Sequence, residues 1–280
     1  MSNKEIEDLK TLIKALEIRL HADEITEAEY KELKEKYSVK LQEEVSVLKK
    51  NSFLRNLSYI SISGSGKVTD SYVTISGSGR IEGWKDGTIT ISGSGKVSDE
   101  EIKISGSGTL PGNLKTDSLK VSGSLKAEGP IEAGSFLSSG SFKVNGELKV
   151  HERFASSGSG KIEGSLLGKN ASVVSSGAIK VDGNVVCDKA EFSGSYKIFG
   201  SVECNNEFTS ELNGNCRIDD DLVCGGDIYI EQTSRKGSLK VNNIKSGGQV
   251  YLEGVKAKTV IGKKVKVGPD CDIGSIEETG

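Results

Sequence analysis

One phrase recurs from Ile62 onward: ISGSGKV at 62, ISGSGRI at 75, ISGSGKV at 91 and ISGSGTL at 104. A Gly/Ser stretch alone reads as a flexible linker. Here each bracket is followed by alternating apolar residues, which linkers lack. With the central glycine as position zero, the register is Gly64, Gly77, Gly93, Gly106, Gly123, Gly140, Gly158, Gly177, Gly194, Gly214 and Gly237. The spacings are 13, 16, 13, 17, 17, 18, 19, 17, 20 and 23. Four residues past each glycine stand Val68, Ile81, Val97, Leu110, Ala127, Val144, Ile162, Val181, Ile198, Ile218 and Val241, all apolar. Two past, the later repeats place Leu125, Phe142, Ile179, Tyr196 and Leu239; eight past come Ile131, Leu148, Leu166, Val185, Val202 and Leu222.

Period-2 alternation makes strands, and glycine at offset six (Gly83, Gly129, Gly146, Gly164, Gly183, Gly200) allows a bend between them. Each repeat then supplies about three short strands and returns to its start. Stacking such coils sets equivalent residues ~4.8 Å apart in inward ladders of like side chains. The expected fold is mainly β: a parallel β-helix of about eleven coils over residues 51–280, a rod roughly 50–60 Å long. Propeller blades need ~40 residues or more per repeat. An antiparallel sandwich has no reason to hold one residue class at one offset eleven times. The variable coil lengths favour a right-handed coil over the strict six-residue steps of left-handed forms. The 13-residue repeats before Gly106 are expected to form narrower coils.

Residues 1–50 are a different object. From Ile6 the apolar positions run Leu9, Ile13, Leu16 and Leu20, a helical face close to an a/d seam. Thr26 with Glu29 forms a capping box that starts a second helix carrying Leu33, Tyr37, Leu41, Val45 and Leu48, expected to run to about Lys50. The short link favours an antiparallel helical hairpin. Its seams are expected to pack on each other or on the next domain, with an oligomerising coiled coil as the alternative. The stretch from Glu24 to Tyr30, followed by Leu33, also resembles the short SHOCT-type helical modules found at protein ends, which implies association.

The short repeats ISGSGKV and GSGKIEG, with the ending YLEGVKAKTVIGKKVKVGPDCDIGSIEE (251–278), resemble the bactofilins, or polymer-forming cytoskeletal proteins, over about residues 58–280. The resemblance implies a right-handed β-helix and nucleotide-free polymers that assemble by contact between β-helix ends and serve as scaffolds. Fifty helical residues stand here where family members carry short tails.

The remaining signals bound the function. The chain begins MSNKEIEDLKTLIK, without an apolar h-region, and no apolar run approaches the ~20 residues that span a bilayer. A cytoplasmic location follows as an expectation, with the inner face of the membrane as a candidate surface. Residues 1–50 carry 10 basic and 12 acidic side chains and the rest 27 and 28, so neither part is a basic tail and nucleic acid is disfavoured as a partner. Only His21 and His151 are present, and no nucleophile elbow, P-loop or HExxH pattern occurs. Asp219-Asp220-Asp221 is the one acidic cluster, and its adjacent residues point to opposite faces. No enzyme activity and no cofactor are expected.

Cys187, Cys204 and Cys224 share offset ten with Ala133, Val150 and Gly168. The small apolar company reads as packing by free thiols, against a soft-metal site that would want tetrahedral geometry. Offset three is basic in ten of eleven repeats, with Lys126, Lys143, Lys161, Lys180 and Lys197 at its centre. That stripe is either a solvated, edge-protecting face, partly offset by Glu128, Glu163, Asp182 and Asp219, or a surface for anionic lipid or polymer. The candidate end-to-end contacts are Val265, Val267, Ile273 and Ile276 at the C-terminal end and Leu57, Tyr59 and Ile60 at the other. Self-association is the expected partnership, and other cytoskeletal or envelope-associated proteins are further candidates. Two readings stand: a scaffold that polymerises through its ends, and a discrete oligomeric adaptor that holds partners through its helices.

Overall fold

The computed structural model describes residues 3–22, 24–55, 57–69, 71–84 and 87–280, with the side chains of residues 3–8 and 43–55 outside the description. Two helices, α1 (Asn3–His21) and α2 (Glu27–Arg55), precede 25 strands, numbered here in chain order. The capping box forms: the Thr26 N–H donates to Glu29 Oε2 at 2.9 Å and the Glu29 N–H to Thr26 Oγ1 at 3.3 Å. The Thr26 N–H and the Thr26 hydroxyl, both donating to Oε2, hold the Glu29 carboxyl below its ordinary pKa. Leu9 and Leu16 are buried and Leu33, Tyr37 and Leu41 half-buried, while Lys34 and Tyr30 reach across to Glu17. The helices therefore close on each other as the seam predicts. α2 runs five residues past the expected Lys50, and the Ile6, Val45 and Leu48 positions of the seam fall outside the described side chains.

From Leu114 onward the chain is a parallel β-solenoid, and the whole array amounts to about ten turns. Each turn has three sides. A four-residue strand such as β7 (Ser124–Ala127) forms the first, and a longer strand such as β10 (Leu148–Ser156) forms the other two by turning a corner where its register slips between residues 149 and 153. Register carries the sequence ladders into space. Leu110, Ala127, Val144, Ile162, Val181, Ile198, Ile218, Val241, Ala257 and Ile273 stack on the first side. The offset-eight column from Ile131 to Leu222 stacks on the second. The third holds Leu119, Phe136, Phe154, Val173, Ala190 and Phe208. All are buried except the terminal Ile273, which is half-buried. At ~25 cal/mol per Å2 of apolar surface removed from water, such ladders are the main stabilising term.

The glycine register has a steric cause. A Cβ on Gly123, Gly140, Gly158, Gly177 or Gly194 would fall on the carbonyl oxygen of the equivalent glycine one turn below, far inside the 3.0 Å that real Cβ atoms keep. The backbones approach at this corner more closely than any side chain permits. The Gly-Ser bracket is thus a tight corner and the opposite of a linker.

The first three repeats depart from the expectation. They are not narrow coils. β1 (Tyr59–Val68), β2 (Tyr72–Trp84) and β3 (Gly87–Ser98) form an antiparallel meander, with Gly64 opposite Gly77 and Gly77 opposite Gly93. β3 then pairs antiparallel with both β4 (Glu101–Ile104) and β5 (Ser107–Leu110), the two arms of a bent segment whose other edge starts the parallel ladders. Repeat length decides between the two arrangements. Repeats of 13 and 16 residues supply one bent strand plus a turn (β1 to β3 have 10, 13 and 12 residues), whereas three sides and three corners take about seventeen. The offset-four residues Ile81 and Val97 are still buried, but Val68, on the edge strand, is exposed.

Candidate assembly ends and the lysine ladder

The C-terminal turn is built by the second half of β23 (Val255–Gly262), by β24 (Lys264–Val267) and by β25 (Asp272–Glu278). β24 pairs only with the strand before it in its column, β22 (Gln249–Leu252), and β25 only with β23. Their outer edges have no partner strand among the described residues, although the Val265 N–H donates to Glu278 Oε1 at 2.8 Å. The four predicted contact residues occupy this turn and come from all three sides. Ile273 continues the first-side ladder, Ile276 the second, and Val265 and Val267 the third. They are inward positions without a next turn above them, so Val267 is 39% and Ile276 50% exposed. The end of the rod is a cross-section of its own apolar core.

The other end is β1. Leu57 and Ile60 are half-buried against the solenoid core, while Tyr59 is 53% exposed. Among the described residues no helical side chain belongs to that core, and the side chains of 43–55, which include Val45 and Leu48 of the seam, lie outside the description.

Lys126, Lys143, Lys161, Lys180 and Lys197 stack in one outward column, and register extends it through Arg217 and Lys240 to Lys256. The last of these escaped the sequence reading, because the repeat lengthens after Gly214 and no glycine bracket precedes Lys256. The column alternates with carboxylates. Lys126 meets Glu128 at 2.8 Å, Lys143 and Lys161 meet Glu163 at 3.0 and 2.6 Å, Lys180 meets Asp182 at 3.1 Å, and Arg217 meets Asp219. Two lysines on one carboxylate hold Glu163 down at about 2. Of the five predicted stripe residues, only Lys197 has no ion pair among the described residues. Such pairs are solvated and each worth little. Their effect is to cancel a like-charge column at strand spacing, which favours the solvated-face reading over an anion-binding surface.

The three cysteines stack as the offsets require, between Gly168 and Ser246. All are buried, and the Cys187 and Cys204 sulfurs lie 3.3 Å apart. The adjoining Cys187 thiol and burial push Cys204 far above the ordinary thiol pKa, and burial raises Cys224. Protonated thiols in an apolar column fill space. Among the described residues no group of three or more His, Cys, Asp or Glu is placed to hold a metal ion. His151 pairs with Glu132 on the outer surface at 2.9 Å, beside Lys115 and Lys149, in a salt-bridge cluster.

One surface feature had no sequence signal. Tyr229 and Tyr251 stack with centroids 4.9 Å apart and rings 14° from parallel, with Lys266 over the Tyr251 ring. They are outward residues of neighbouring turns, and only the register brings them together. No described helix is long and apolar enough to cross a membrane. Neither the family models, nor the curated proteins, nor the solved structures compared with this chain yield a match.

Proposed function

We propose that this chain is a non-enzymatic structural protein of the cytoplasm, a scaffold that self-associates through the ends of its solenoid without nucleotide. The observation that carries the reading is the C-terminal turn, where inward residues of all three ladders lie uncovered beside open strand edges. Open edges template further pairing, and a rod that leaves its core cross-section bare invites a second rod. A self-complementary contact of this kind is isologous. The reading agrees with what the bactofilin resemblance implies, and bactofilin-like assembly is the form we favour.

A discrete adaptor is the second reading. It is supported by Leu12, Ile18 and Val39, apolar residues exposed on the helical hairpin.

The test is V267D/I273D, which sets carboxylates into the terminal cross-section. Sedimentation is expected to show smaller assemblies than wild type while the β circular-dichroism signal persists. Wild-type protein that sediments as a monomer at high concentration would sink both readings.

A further inference from the structure

Among the described residues β1 has a hydrogen-bonded neighbour on one side only, β2. Natural edges are commonly blunted by short length, bulges, proline or charge. β1 is 10 residues long, pairs with β2 without a bulge, lacks proline and carries one charged side chain, Lys67. Ser63 to Val68 are all exposed, Val68 at 46%.

The molecule already pairs this phrase with itself twice. Between β1 and β2, Gly64 faces Gly77, Ser63 faces Ser78, Ser65 faces Ser76, Ile62 faces Gly79 and Gly66 faces Ile75. Between β2 and β3 the pattern repeats as Gly77 with Gly93, Ser76 with Ser94, Ser78 with Ser92, Ile75 with Gly95 and Gly79 with Ile91. Each pair is thus related by a local two-fold axis through its glycines. All three strands bend there alike, with φ of +112°, +122° and +107° at Gly64, Gly77 and Gly93. The isoleucine two residues before the bend folds over the glycine two residues after it, as Ile62 does on Gly66 and Ile75 on Gly79. β1 reads ISISGSGKV from 60 to 68 and β2 reads VTISGSGRI from 73 to 81. A second β1 therefore presents to the open edge nearly what β2 presents to the paired one.

We propose that two copies of this chain join head to head through β1, antiparallel about a two-fold axis at Gly64. Ser63 pairs with Ser65 of the second copy, Ile62 with its Gly66 and Ile60 with its Val68. The axis stands perpendicular to the sheet, so inward faces stay on one side. The three antiparallel strands of each copy become a continuous six, and Val68 gains the neighbour it lacks. The inference rests on the reading that solenoid ends are contacts, but it concerns the end that V267D/I273D does not touch.

The experiment uses the full chain in the V267D/I273D background. That protein is expected to sediment as a dimer. Adding S63E/S65E brings carboxylates face to face across the axis, and like-charge juxtaposition is expected to weaken the dimer by about 100-fold or more. Adding S63K/S65K instead is expected to do the same, and mixing the two variants restores a dimer. Cross-linking in the wild-type background fixes the register independently. Mixed S63C and S65C proteins are expected to form a disulfide-linked dimer on oxidation, and neither alone. Position 63 lies ~8–9 Å from its own symmetry copy, beyond disulfide reach. If V267D/I273D is monomeric while wild type is larger, the head-to-head contact is overturned and the scaffold reading survives. A dimer indifferent to the charge changes, or cross-linking by either cysteine variant alone, overturns the register and with it the proposal. A monomeric wild type overturns both readings together.

Discussion

Gly158→Ala and Gly214→Ala change the same position of the same repeat, and the structure gives them opposite consequences. At Gly158 the new Cβ falls on the Gly140 carbonyl of the turn below, so two backbones must part. Overpacking of this kind costs about 1–3 kcal/mol. The ladder bonds that flank the site stretch with it: Ser157 N–H to the Ser138 carbonyl at 2.9 Å and Ala178 N–H to the Gly158 carbonyl at 3.0 Å, each worth about 1 kcal/mol net. The expected loss is about 3–5 kcal/mol. At Gly214 the nearest atom is Ser195 Oγ at 3.9 Å, and no positive φ forbids a side chain. Alanine there restricts the unfolded chain and is expected to leave stability unchanged or raise it by about 0.4–1 kcal/mol. Urea unfolding followed by circular dichroism measures both. Amide hydrogen exchange around Ser157 and Ala178 shows whether the loss is local, as repeat arrays permit. Equal midpoints for the two variants would mean that close backbone approach is not what keeps glycine in the bracket.

Ile162→Asp puts a carboxyl into the buried first-side ladder and is expected to unfold or insolubilise the protein, whereas Lys161→Asp on the outward column stays folded; equal tolerance would refute the register. Ser156 and Ser175 bury hydroxyls without a partner among the described residues, so Ser156→Ala and Ser175→Ala should each stabilise by about 1 kcal/mol in urea titrations, and a loss from either would reveal a bond the geometry does not contain. Glu163 and Glu132, both held at about 2 by neighbouring cations, contribute stability that is complete above their ordinary value of 4.5. It is lost as pH falls from 4.5 through about 2, and added salt should shrink the effect because both groups are solvated. A Glu163→Gln/Glu132→Gln protein that keeps the full wild-type acid dependence at low salt would place its origin elsewhere.

The solenoid was legible because a ladder is a sequence property made spatial: one residue class at one offset, repeated, has few other folds that would bury it. The second side could be drawn from Ile131 and its equivalents on the sequence alone, whereas the third, Leu119 to Phe208, came only with the strand register. The meander was missed for a related reason. Bracket, bend and offset-four residue are the same in a bent hairpin strand as in a coil, and only the shorter spacings of 13 and 16 residues separate them. The tyrosine stack and Lys256 lay beyond reach because the repeats after Gly214 change length irregularly, so registers there come from pairing and not from counting. The candidate contact residues at the C-terminal end were named as the last apolar residues of the sequence, without reference to columns. That they come from all three sides needed the fold.

The two ends also decide what kind of assembly is geometrically open to this chain. The C-terminal end presents three sides of a parallel turn, and the N-terminal end presents one strand bent at Gly64 in an antiparallel sheet. These do not match each other, so a head-to-tail repeat would leave one side of the terminal turn without a partner strand. Each end matches itself. Isologous contacts consume the surfaces they use, so a single such contact stops at a dimer and two different ones generate an open chain. Under the proposed contacts, growth beyond a dimer therefore needs both ends, and the direction of the rods alternates along the chain. S63E/S65E and V267D/I273D should each cut the assembly to dimers, of different shape, and their combination to monomers. Long assemblies that survive either pair alone would require a third surface, for which the exposed apolar residues of the helical hairpin are the remaining candidates.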